Sequence, residues 1–539
     1  MTRPWCLPPA AMAAVDAAAI DAGLTGMALM ETAGRAVTAA IIGRWGDVGR
    51  ARILVGKGNN GGDGLVVART LVAGGWEVEL ALFCDPAELI GDAGAQWALV
   101  EPMGLVLERI ENESQAAALG RPRDFTCAVD ALLGTGLQGE VREPMRTAIR
   151  VLNEGRLPVV AVDAPSGLDG STGRPHAIAV RAALTVTFGF PKPGLFLGAG
   201  PAHTGHLIVA PLGYPPNALD AAGPAPLEWS RLEQACAALP PLAIDAHKGS
   251  AGRLLLVAGS EAYRGAAVLA ATAALRSGVG LCTVAAPASI AEFIVGTVPE
   301  VIVESLPVTG SGDLSSTAAE RVARLGERVD AIAIGPGLDG GAGVRRVVEA
   351  AVATDRPLVV DADGLNALAD VPDTIRRDPP TVITPHPGEL ARWLNEKAET
   401  IDADRIEAAP RAADRWGVHV VLKGAPTVIA DPDCGAALNL TGNPGLATGG
   451  SGDVLTGLLG SLLAQDVAAP LAARAAPLLH GLAADWAAHD LGERGLLPSD
   501  LFRYLPLTIR ELGAGRGPAL LERIDHRYKT LLTAGDTGA

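Results

Sequence analysis

Two successive series of short apolar runs, each run followed by a longer alanine-rich segment, constrain what this chain of 539 residues can fold into. Val, Ile and Leu runs bounded by glycine are typical of buried strands, and their alternation with helical segments predicts a parallel α/β architecture. The predicted strands of the first series are Arg52–Val55, Trp76–Phe83, Cys127–Leu132, Pro158–Val162, Leu184–Phe188 and Leu207–Ala210. Those of the second series are Arg253–Ala258, Leu281–Ala285, Ala331–Ile334, Leu358–Val360, Thr381–Ile383 and His419–Leu422.

The segment between the two series, YPPNALDAAGPAPLEW (214–229), is rich in proline and alanine and has no helical or strand periodicity. Such a segment is typical of a linker, and the chain is too long for one ordinary hydrophobic core. We therefore predict two α/β domains, residues 1–215 and 241–539, joined by a linker at residues 216–240.

The composition excludes several classes of function. The formal net charge of -16 disfavours nucleic-acid binding, which needs a basic surface. No apolar run is long enough to cross a membrane, and the N-terminus predicts an amphipathic helix rather than a signal peptide. The six cysteines are scattered without a CxxC pair, which favours reduced thiols in a cytoplasmic protein.

The stretch NPGLATGGSGDVLTG (443–457) places several glycines and one acid, Asp453, immediately before an apolar helix. Backbone amides at a helix N-terminus bind anions, so the glycines predict a phosphate site. An aspartate there would repel phosphate unless it serves as the base that deprotonates an attacking hydroxyl. Because GxxxxGK[ST] is absent from the chain, a Walker-type nucleotide site is excluded.

Other strand ends of the second series also carry polar groups or glycine turns. They are AHKGSAGRLLLVAGS (246–260), AIGPGLDG (333–340), VVDADGLNAL (359–368), TPHPGE (384–389) and VLKGAPTVI (421–429). The charged and polar residues of three of these segments have structural alternatives: His386 as a hydrogen-bonded structural histidine, Lys423 as a solvated loop charge, and Asp361 or Asp363 as a helix cap.

The first series has its own polar turn, RILVGKGNNGGDGLVVARTL (52–71), in which glycines 56, 58 and 61 match the dinucleotide pattern GxGxxG. Asp85, at the end of the next strand, is a candidate ribose ligand. The side chains of Asn59, Asn60 and Asp63 are unusual for a dehydrogenase, because converging oxygens suit a hard cation or sugar hydroxyls. The alternative is a tight turn in which Asp63 only caps the helix.

Two further strand ends of the first series repeat this pattern of an aspartate followed by glycine and hydroxyl groups. They are VDALLGTGLQGE (129–140) and VDAPSGLDGSTG (162–173), with Asp130 and Asp163 directly after their strands. Since open α/β sheets bind ligands at the carboxyl ends of their strands, three such ends predict a site.

These motifs, with FPKPGLFLG (190–198), resemble the epimerase domain of the bifunctional NAD(P)H-hydrate repair enzymes over about residues 10–212. The resemblance implies a Rossmann-like three-layer domain that interconverts the R and S forms of hydrated NADH or NADPH. It implies K⁺ held by Asn60, Asp130 and Ser166, with Asp163 at the reacting ring; Lys57 departs from the family pattern and is left without a role. The implied hydrate-binding residues are Asn59, Asn60, Gly61, Gly62, Asp63, Gly134, Thr135, Gly136, Leu137, Gln138, Gly139, Glu140 and Asp163.

The second series resembles the ribokinase-like superfamily and, within it, the NAD(P)H-hydrate dehydratases, over about residues 240–505. HPGE stands where sugar kinases typically have NxxE, which favours the dehydratase branch and leaves Glu389 to help position Mg²⁺. The resemblance implies that ADP, or ATP as the alternative, phosphorylates the ring hydroxyl with Asp453 as base, and that AMP and phosphate are released. The implied nucleotide-binding residues are Lys423, Gly424, Ala425, Pro426, Thr427 and Gly452. The implied hydrate-binding residues are Ala266, Gly337, His386 and Asp453.

Two other functions remain open from the residues alone. One is a ribokinase-like small-molecule kinase fused to a Rossmann-like dinucleotide-binding module, which HPGE disfavours. The other is a first domain that only senses a dinucleotide, which the three polar strand ends disfavour. Relatives lead to the expectation of a homo-oligomer.

Overall fold

The chain folds into two compact units, which we call the N-terminal unit (Trp5–Leu227) and the C-terminal unit (from Glu228 onward). The computed structural model describes residues 4–120, 124–223, 227–239, 243–310, 312–432 and 434–533. None of the helices in these ranges is long and apolar enough to cross a membrane.

The N-terminal unit alternates strands and helices along most of its length. Its elements are β1 (Trp5–Cys6), α1 (Pro9–Asp21), α2 (Gly26–Trp45), β2 (Arg50–Val55), α3 (Asn59–Ala73), β3 (Glu77–Leu82), α4 (Gly91–Val100), β4 (Val106–Arg109), α5 (Glu113–Ala118), β5 (Cys127–Ala131), α6 (Met145–Glu154), β6 (Val159–Val162), β7 (Leu184–Phe188), α7 (Gly200–Thr204) and β8 (His206–Ala210). A seven-stranded sheet runs in the order β4-β3-β2-β5-β6-β7-β8, and all its pairs are parallel.

Helices cover both faces of this sheet. Side chains alternate along β2, so Ile53 and Val55 pack in one hydrophobic cluster with α2 and α3, while Leu54 packs in a second cluster with α6. The strand order reverses between β2 and β5, and such a switch point opens a crevice at the carboxyl ends of the strands. The three-layer, Rossmann-like arrangement predicted for the first series is confirmed.

The C-terminal unit is larger and adds a helical layer after its last strand. Its elements are β9 (Leu227–Trp229), α8 (Leu232–Ala237), β10 (Arg253–Val257), α9 (Arg264–Arg276), β11 (Leu281–Pro287), α10 (Ala291–Thr297), β12 (Ile302–Leu306), α11 (Ser316–Gly326), β13 (Ala331–Ile334), α12 (Ala342–Val352), β14 (Leu358–Val360), α13 (Asp363–Leu368), β15 (Thr381–Ile383), α14 (Pro387–Leu394), α15 (Ala398–Ala403), α16 (Arg405–Trp416), β16 (His419–Leu422), β17 (Thr427–Ala430), β18 (Ala436–Asn439), α17 (Ser451–Ala464), α18 (Ala469–Leu491), α19 (Leu501–Gly513), α20 (Gly517–Arg523) and α21 (Lys529–Leu532).

Its sheet runs β9-β18-β17-β16-β15-β14-β13-β10-β11-β12, parallel from β12 to β16, with antiparallel pairs at β16-β17 and β17-β18. The order reverses between β10 and β13, which makes a second switch point. Helix α17 packs closely on α9, since a Cβ atom at Gly457 would lie 2.0 Å from the carbonyl oxygen of Ala270. The segment predicted as a linker contains β9 and α8, and Trp229 donates its indole N–H to the carbonyl of Leu531 at 3.1 Å.

Candidate active sites

The turn after β2 in the N-terminal unit depends on two of its glycines. A Cβ atom at Gly56 would lie 1.9 Å from the carbonyl oxygen of Leu132, and one at Gly61 would lie 1.8 Å from that of Gly56. Gly58 is the N-cap of α3, so the alternative in which Asp63 caps this helix is wrong. The Asp63 carboxyl is buried, and burial together with the charge of Asp163 raises its pKa well above the usual value.

A buried cluster of oxygen atoms joins the turn after β2 to the strand ends of β5 and β6. Asn60 donates its amide to the carbonyl of Leu133 at 3.1 Å, and Ser166 donates its hydroxyl to Asp130 Oδ1 at 2.6 Å. Asp130 also accepts the backbone N–H groups of Ser166, at 2.8 Å, and of Leu132, at 3.3 Å. The hydrogen bonds that the structure gives this carboxylate all come from neutral groups, and its burial raises its pKa to about 6. Carboxylate, hydroxyl, carbonyl and amide oxygens around a buried charge fit a hard cation.

Asp163 stands at the end of β6 with a left-handed backbone (φ 64°), which costs on the order of 1 kcal/mol for a residue other than glycine. Its Oδ1 atom accepts the Thr187 hydroxyl at 3.2 Å, the Phe188 N–H at 3.0 Å and the ammonium of Lys192. Lys192 is only 3% exposed and also donates to the carbonyl of Phe188 at 3.2 Å. A buried lysine held against a strained carboxylate is a candidate proton-transfer pair.

The backbone between Asp163's partner Phe188 and Lys192 is packed against Tyr214, which is in turn hydrogen-bonded to α1. The Tyr214 ring packs on the backbone after Phe188, because a Cβ atom at Gly189 would lie 2.6 Å from its Cε2 atom. The Tyr214 hydroxyl donates to Asp16 of α1. Burial raises the pKa of Asp16, against the Tyr214 hydrogen bond and the charge of Lys192, which lower it.

The loop at residues 134–140 begins near the oxygen cluster, whereas Lys57 and Asp85 have other surroundings. Residues 134–140 form a loop that begins beside the oxygen cluster, since a Cβ atom at Gly134 would lie 3.5 Å from that of Asn60. Lys57 is exposed at the start of α3. Asp85 caps a short turn through the Ala87 N–H and pairs with Arg109 at 2.9 Å, a structural role that accounts for its side chain without a ribose.

The central charge network of the C-terminal unit converges on Asp361, directly after β14. Its Oδ1 atom accepts from Lys423 at 2.6 Å and its Oδ2 atom from Thr456 at 2.7 Å, and the side chain is 1% exposed. Burial lowers the pKa of Lys423, but the charges of Asp361 and Glu389 outweigh burial and raise it. The alternatives of a helix-capping Asp361 and a solvated Lys423 are therefore wrong.

Helix α17 begins beside this network. Its N-cap is Gly450, which has a left-handed backbone (φ 99°), and Asp453 lies in its first turn. A Cβ atom at Gly452 would lie 3.6 Å from Lys423 Nζ and 3.7 Å from Asp361 Oδ2, so the helix start faces both charges. Burial, and then the charge of Asp361, raise the pKa of Asp453 to about 7, opposed by Lys423. A carboxylate with a pKa near neutrality at an anion-binding helix end is suited to general-base catalysis.

His386 and Glu389 form a capping box at the start of α14. His386 Nδ1 accepts the Gly388 N–H at 3.0 Å, and Glu389 Oε2 accepts the His386 N–H at 2.8 Å. The imidazole is nevertheless 52% exposed, and its Nε2 atom lies 3.5 Å from Glu389 Oε1. Glu389 is buried, and its Oε2 atom lies 3.8 Å from Lys423 Nζ. Burial raises its pKa, while the charge of Lys423 lowers it.

The switch point between β10 and β13 brings together two predicted hydrate-binding residues. A Cβ atom at Gly337 (φ 63°) would lie 2.8 Å from the Cβ of Ala266, so only glycine fits there. Asp363 is the first residue of α13 rather than its N-cap, and it accepts the Asp339 N–H at 2.9 Å and the Asn366 amide at 3.3 Å.

Two side chains of these networks were not singled out from the sequence: Lys192 and Thr456. Thr456 contacts a residue 95 positions away, and Lys192 one 29 positions away. The local signal for Lys192 is a lysine between two prolines after a buried strand. A lysine or threonine in such a place is as common on a solvated surface.

Comparisons with known proteins agree with this division into two sites. A family model described as NAD(P)H-hydrate dehydratase matches residues 254–507, and one described as YjeF-related protein N-terminus matches residues 26–194. The bifunctional NAD(P)H-hydrate repair enzyme of Moorella thermoacetica is 41% identical over 500 residues, which cover 90% of this chain and 92% of that protein. The chain belongs to the bifunctional NAD(P)H-hydrate repair enzymes.

A second family member, from Salinibacter ruber, is 40% identical over 536 residues, 95% of this chain and 98% of that protein. A solved ADP/ATP-dependent NAD(P)H-hydrate dehydratase from Bacillus subtilis, co-crystallised with ATP/Mg²⁺, is 32% identical with a TM-score of 0.47. The match covers 54% of this chain and 99% of the Bacillus subtilis chain. The predicted family, fold class and pair of activities are confirmed: the N-terminal unit is an NAD(P)H-hydrate epimerase and the C-terminal unit an NAD(P)H-hydrate dehydratase.

Within the described ranges, His, Cys, Asp and Glu side chains nowhere gather in threes as a protein-only metal centre would require. The oxygens of Glu389 already accept a backbone N–H and face the cation of Lys423. Glu389 therefore fits a positioning role better than sole ligation of Mg²⁺. Mg²⁺ commonly takes its ligands from substrate phosphates with one or two carboxylates, and it supplies neutralising charge to a phosphoryl group.

Proposed function

We propose that Asp163 and Lys192 carry the epimerase reaction, with the hydrated nicotinamide ring beside them. The supporting observation is the buried ion pair on a strained residue at the edge of the switch-point crevice. Inversion at the carbon that bears the hydroxyl needs a proton removed from one site and returned to another as a ring bond opens and recloses. A carboxylate and an ammonium in contact can exchange that proton with the substrate.

The dinucleotide lies along the turn at residues 59–63 and the loop at residues 134–140 in this proposal. The oxygen cluster of Asn60, Asp130 and Ser166 would hold K⁺, which supplies a fixed positive charge between the two segments. Asp130 supports this assignment, because a buried carboxylate that accepts hydrogen bonds from neutral groups is stabilised by a cation.

For the dehydratase reaction, we propose that Asp453 removes the proton of the ring hydroxyl while the oxygen attacks the terminal phosphoryl group of ADP. The bond between that phosphorus and the bridging oxygen breaks, and AMP leaves. The ring nitrogen's lone pair then expels phosphate, and loss of a proton from the neighbouring carbon restores the double bond of NAD(P)H. The raised pKa of Asp453 at the start of α17 carries this proposal.

The other residues of the site bind and orient the reactants. Amides of residues 449–452 and the Lys423 ammonium would stabilise the transferring phosphoryl group, because charge develops there in the transition state. Ala266, Gly337 and His386 would contact the hydrate, and residues 423–427 the adenine nucleotide. ADP is proposed as the donor and ATP as the alternative.

The experiment is an assay with the full chain. Mixed R and S NADH hydrate is incubated with K⁺, Mg²⁺ and either ADP or ATP, and NADH absorbance and AMP are followed. We expect complete recovery of NADH with ADP and one AMP per NADH. Recovery of half the hydrate would remove the epimerase assignment, and no NADH with either nucleotide would overturn the dehydratase.

We also propose a cytoplasmic homo-oligomer with domains at residues 1–215 and 241–539. The cysteines are free, and Cys6, Cys84, Cys127 and Cys282 are buried, which fits a reducing compartment. Light scattering of the purified protein measures the oligomeric state.

A further inference from the structure

The loop at residues 424–427, between β16 and β17, has an unusual arrangement of its carbonyl groups. Arg405, the first residue of α16, donates from Nη2 to the carbonyl of Ala425 at 2.7 Å and from Nη1 to that of Pro426 at 3.0 Å. The Thr427 hydroxyl donates to the carbonyl of Gly424 at 3.2 Å. Three consecutive carbonyl oxygens are therefore each directed to a donor within the protein.

The Arg405 side chain is built into the unit rather than resting on its surface. It is 9% exposed, and a Cβ atom at Gly424 would lie 1.6 Å from its Nη1 atom, so the guanidinium occupies the space that any larger residue would need. Its nearest carboxylate, Asp402, is 65% exposed and 3.5 Å from Nε. Burial lowers the pKa of Arg405, against the charge of Asp402. The main hydrogen-bond acceptors of the Arg405 guanidinium are thus the loop carbonyls.

This arrangement has an electrostatic consequence for a polyanion. A carbonyl oxygen carries a partial negative charge, and three of them facing a nucleotide's phosphates would repel it. Two of these oxygens are drawn towards a buried guanidinium and the third towards the Thr427 hydroxyl. This arrangement reduces that repulsion and places a positive charge behind the loop. A planar fork can hold two adjacent carbonyls in one orientation, which the compact ammonium of lysine cannot do.

We propose that Arg405 is a positioning residue that presets the loop at residues 424–427 for the adenine nucleotide. This inference rests on the proposed nucleotide site and adds a residue that acts on it through the loop backbone. It predicts that Arg405 affects nucleotide affinity and leaves the chemical step and the binding of the hydrate alone.

The test compares Arg405→Lys with Arg411→Lys, a matched control on the same helix whose guanidinium pairs with Glu396 at the surface. We expect Arg405→Lys to raise the KM for ADP by about tenfold, with kcat at saturating ADP and the KM for the hydrate unchanged. Arg411→Lys should leave all three unchanged. Gly424→Ala, which displaces the guanidinium without removing its charge, should reproduce the Arg405→Lys effect and provides the test should that variant fail to fold.

An unchanged KM for ADP in both Arg405→Lys and Gly424→Ala, or a fall in kcat with KM unchanged, would overturn the inference. The proposed function fails in a different way, since wild-type protein would then form no NADH with either nucleotide. Direct titration of ADP into each variant separates the two cases, because the inference requires weaker binding in the variants than in wild type.

Discussion

Asp453 differs from an ordinary helix-capping acid in its surroundings. It lies in the first turn of α17 within reach of the charges of Asp361 and Lys423, and its pKa is raised to about 7. A base acts in its deprotonated form, so dehydration should become faster as pH rises through about 7 and level off above it.

Asp453→Asn should lower kcat for dehydration by about 10²–10⁴-fold and abolish that pH dependence, because an amide cannot accept the hydroxyl proton. The measurement is kcat at saturating ADP across the neutral pH range, for wild type and variant. A wild-type rate that is flat or falls as pH rises would contradict the assignment of Asp453 as base.

The Asp130 carboxyl leads to a prediction about K⁺. Burial raises its pKa from 3.8 to about 6, so without a cation its contribution to stability is present below pH 3.8 and is lost as pH rises through about 6. Bound K⁺ compensates for the charged form. The increase in melting temperature caused by K⁺ should therefore be small below about pH 6 and grow above it.

Asp130→Asn, which preserves the shape of the side chain, should remove this K⁺ effect at every pH. Choline chloride at equal ionic strength is the control for screening. An equal rise in melting temperature in wild type and Asp130→Asn would argue against the proposed cation site.

At the scale of elements, the turn between β2 and α3 contains two glycines that differ in the space available for a Cβ atom. A Cβ atom at Gly61 would lie 1.8 Å from a carbonyl oxygen, whereas one at Gly58 would meet nothing within 4 Å. Gly61→Ala should lower the free energy of unfolding by ~2 kcal/mol or more, since overpacking forces the backbone apart.

Gly58→Ala should cost less than ~1 kcal/mol, because alanine is only a poorer N-cap than glycine. Urea denaturation followed by far-UV circular dichroism measures both. Equal losses in the two variants would mean that the turn relaxes around a Cβ atom at position 61.

The sequence predicts those elements best that are buried on both sides. The strand at residues 184–188 (LTVTF) and the strand at residues 331–334 (AIAI) are buried at every position and were predicted to the residue. Strands β4 (VLER) and β12 (IVESL) were not predicted, because both are edge strands that mix charged with apolar residues. Partial exposure removes the periodicity on which such predictions depend.

Prediction of the site residues from the sequence is limited in a similar way, since it depends on a local pattern. Asp163 and Asp453 could be predicted because each stands in a local glycine-rich pattern after a strand or before a helix. Lys192, Thr456 and Arg405 could not, because only the folded chain brings them to partners tens of residues away. Local patterns reveal the carboxylates that we propose to meet the substrate, while the side chains that pair with them are set by tertiary contacts.

At the scale of the whole molecule, we assign two chemically separate reactions on one hydrate to the two units. Asp163→Asn should remove epimerisation and leave dehydration of the S form, so that half of a mixed hydrate is recovered as NADH before slow spontaneous epimerisation contributes. Asp453→Asn should form NADH about 10²–10⁴-fold more slowly than wild type but still interconvert R and S.

The most direct test of this claim is to mix the two variants in equal amounts with racemic NADH hydrate, ADP, Mg²⁺ and K⁺, and to measure the final NADH absorbance. Each variant then supplies the activity that the other lacks. At the time by which wild type has finished, we expect complete recovery of NADH from the mixture, against half from Asp163→Asn alone and almost none from Asp453→Asn alone. Recovery of only half from the mixture would contradict this claim, because it would mean that the Asp453→Asn chain had lost both activities.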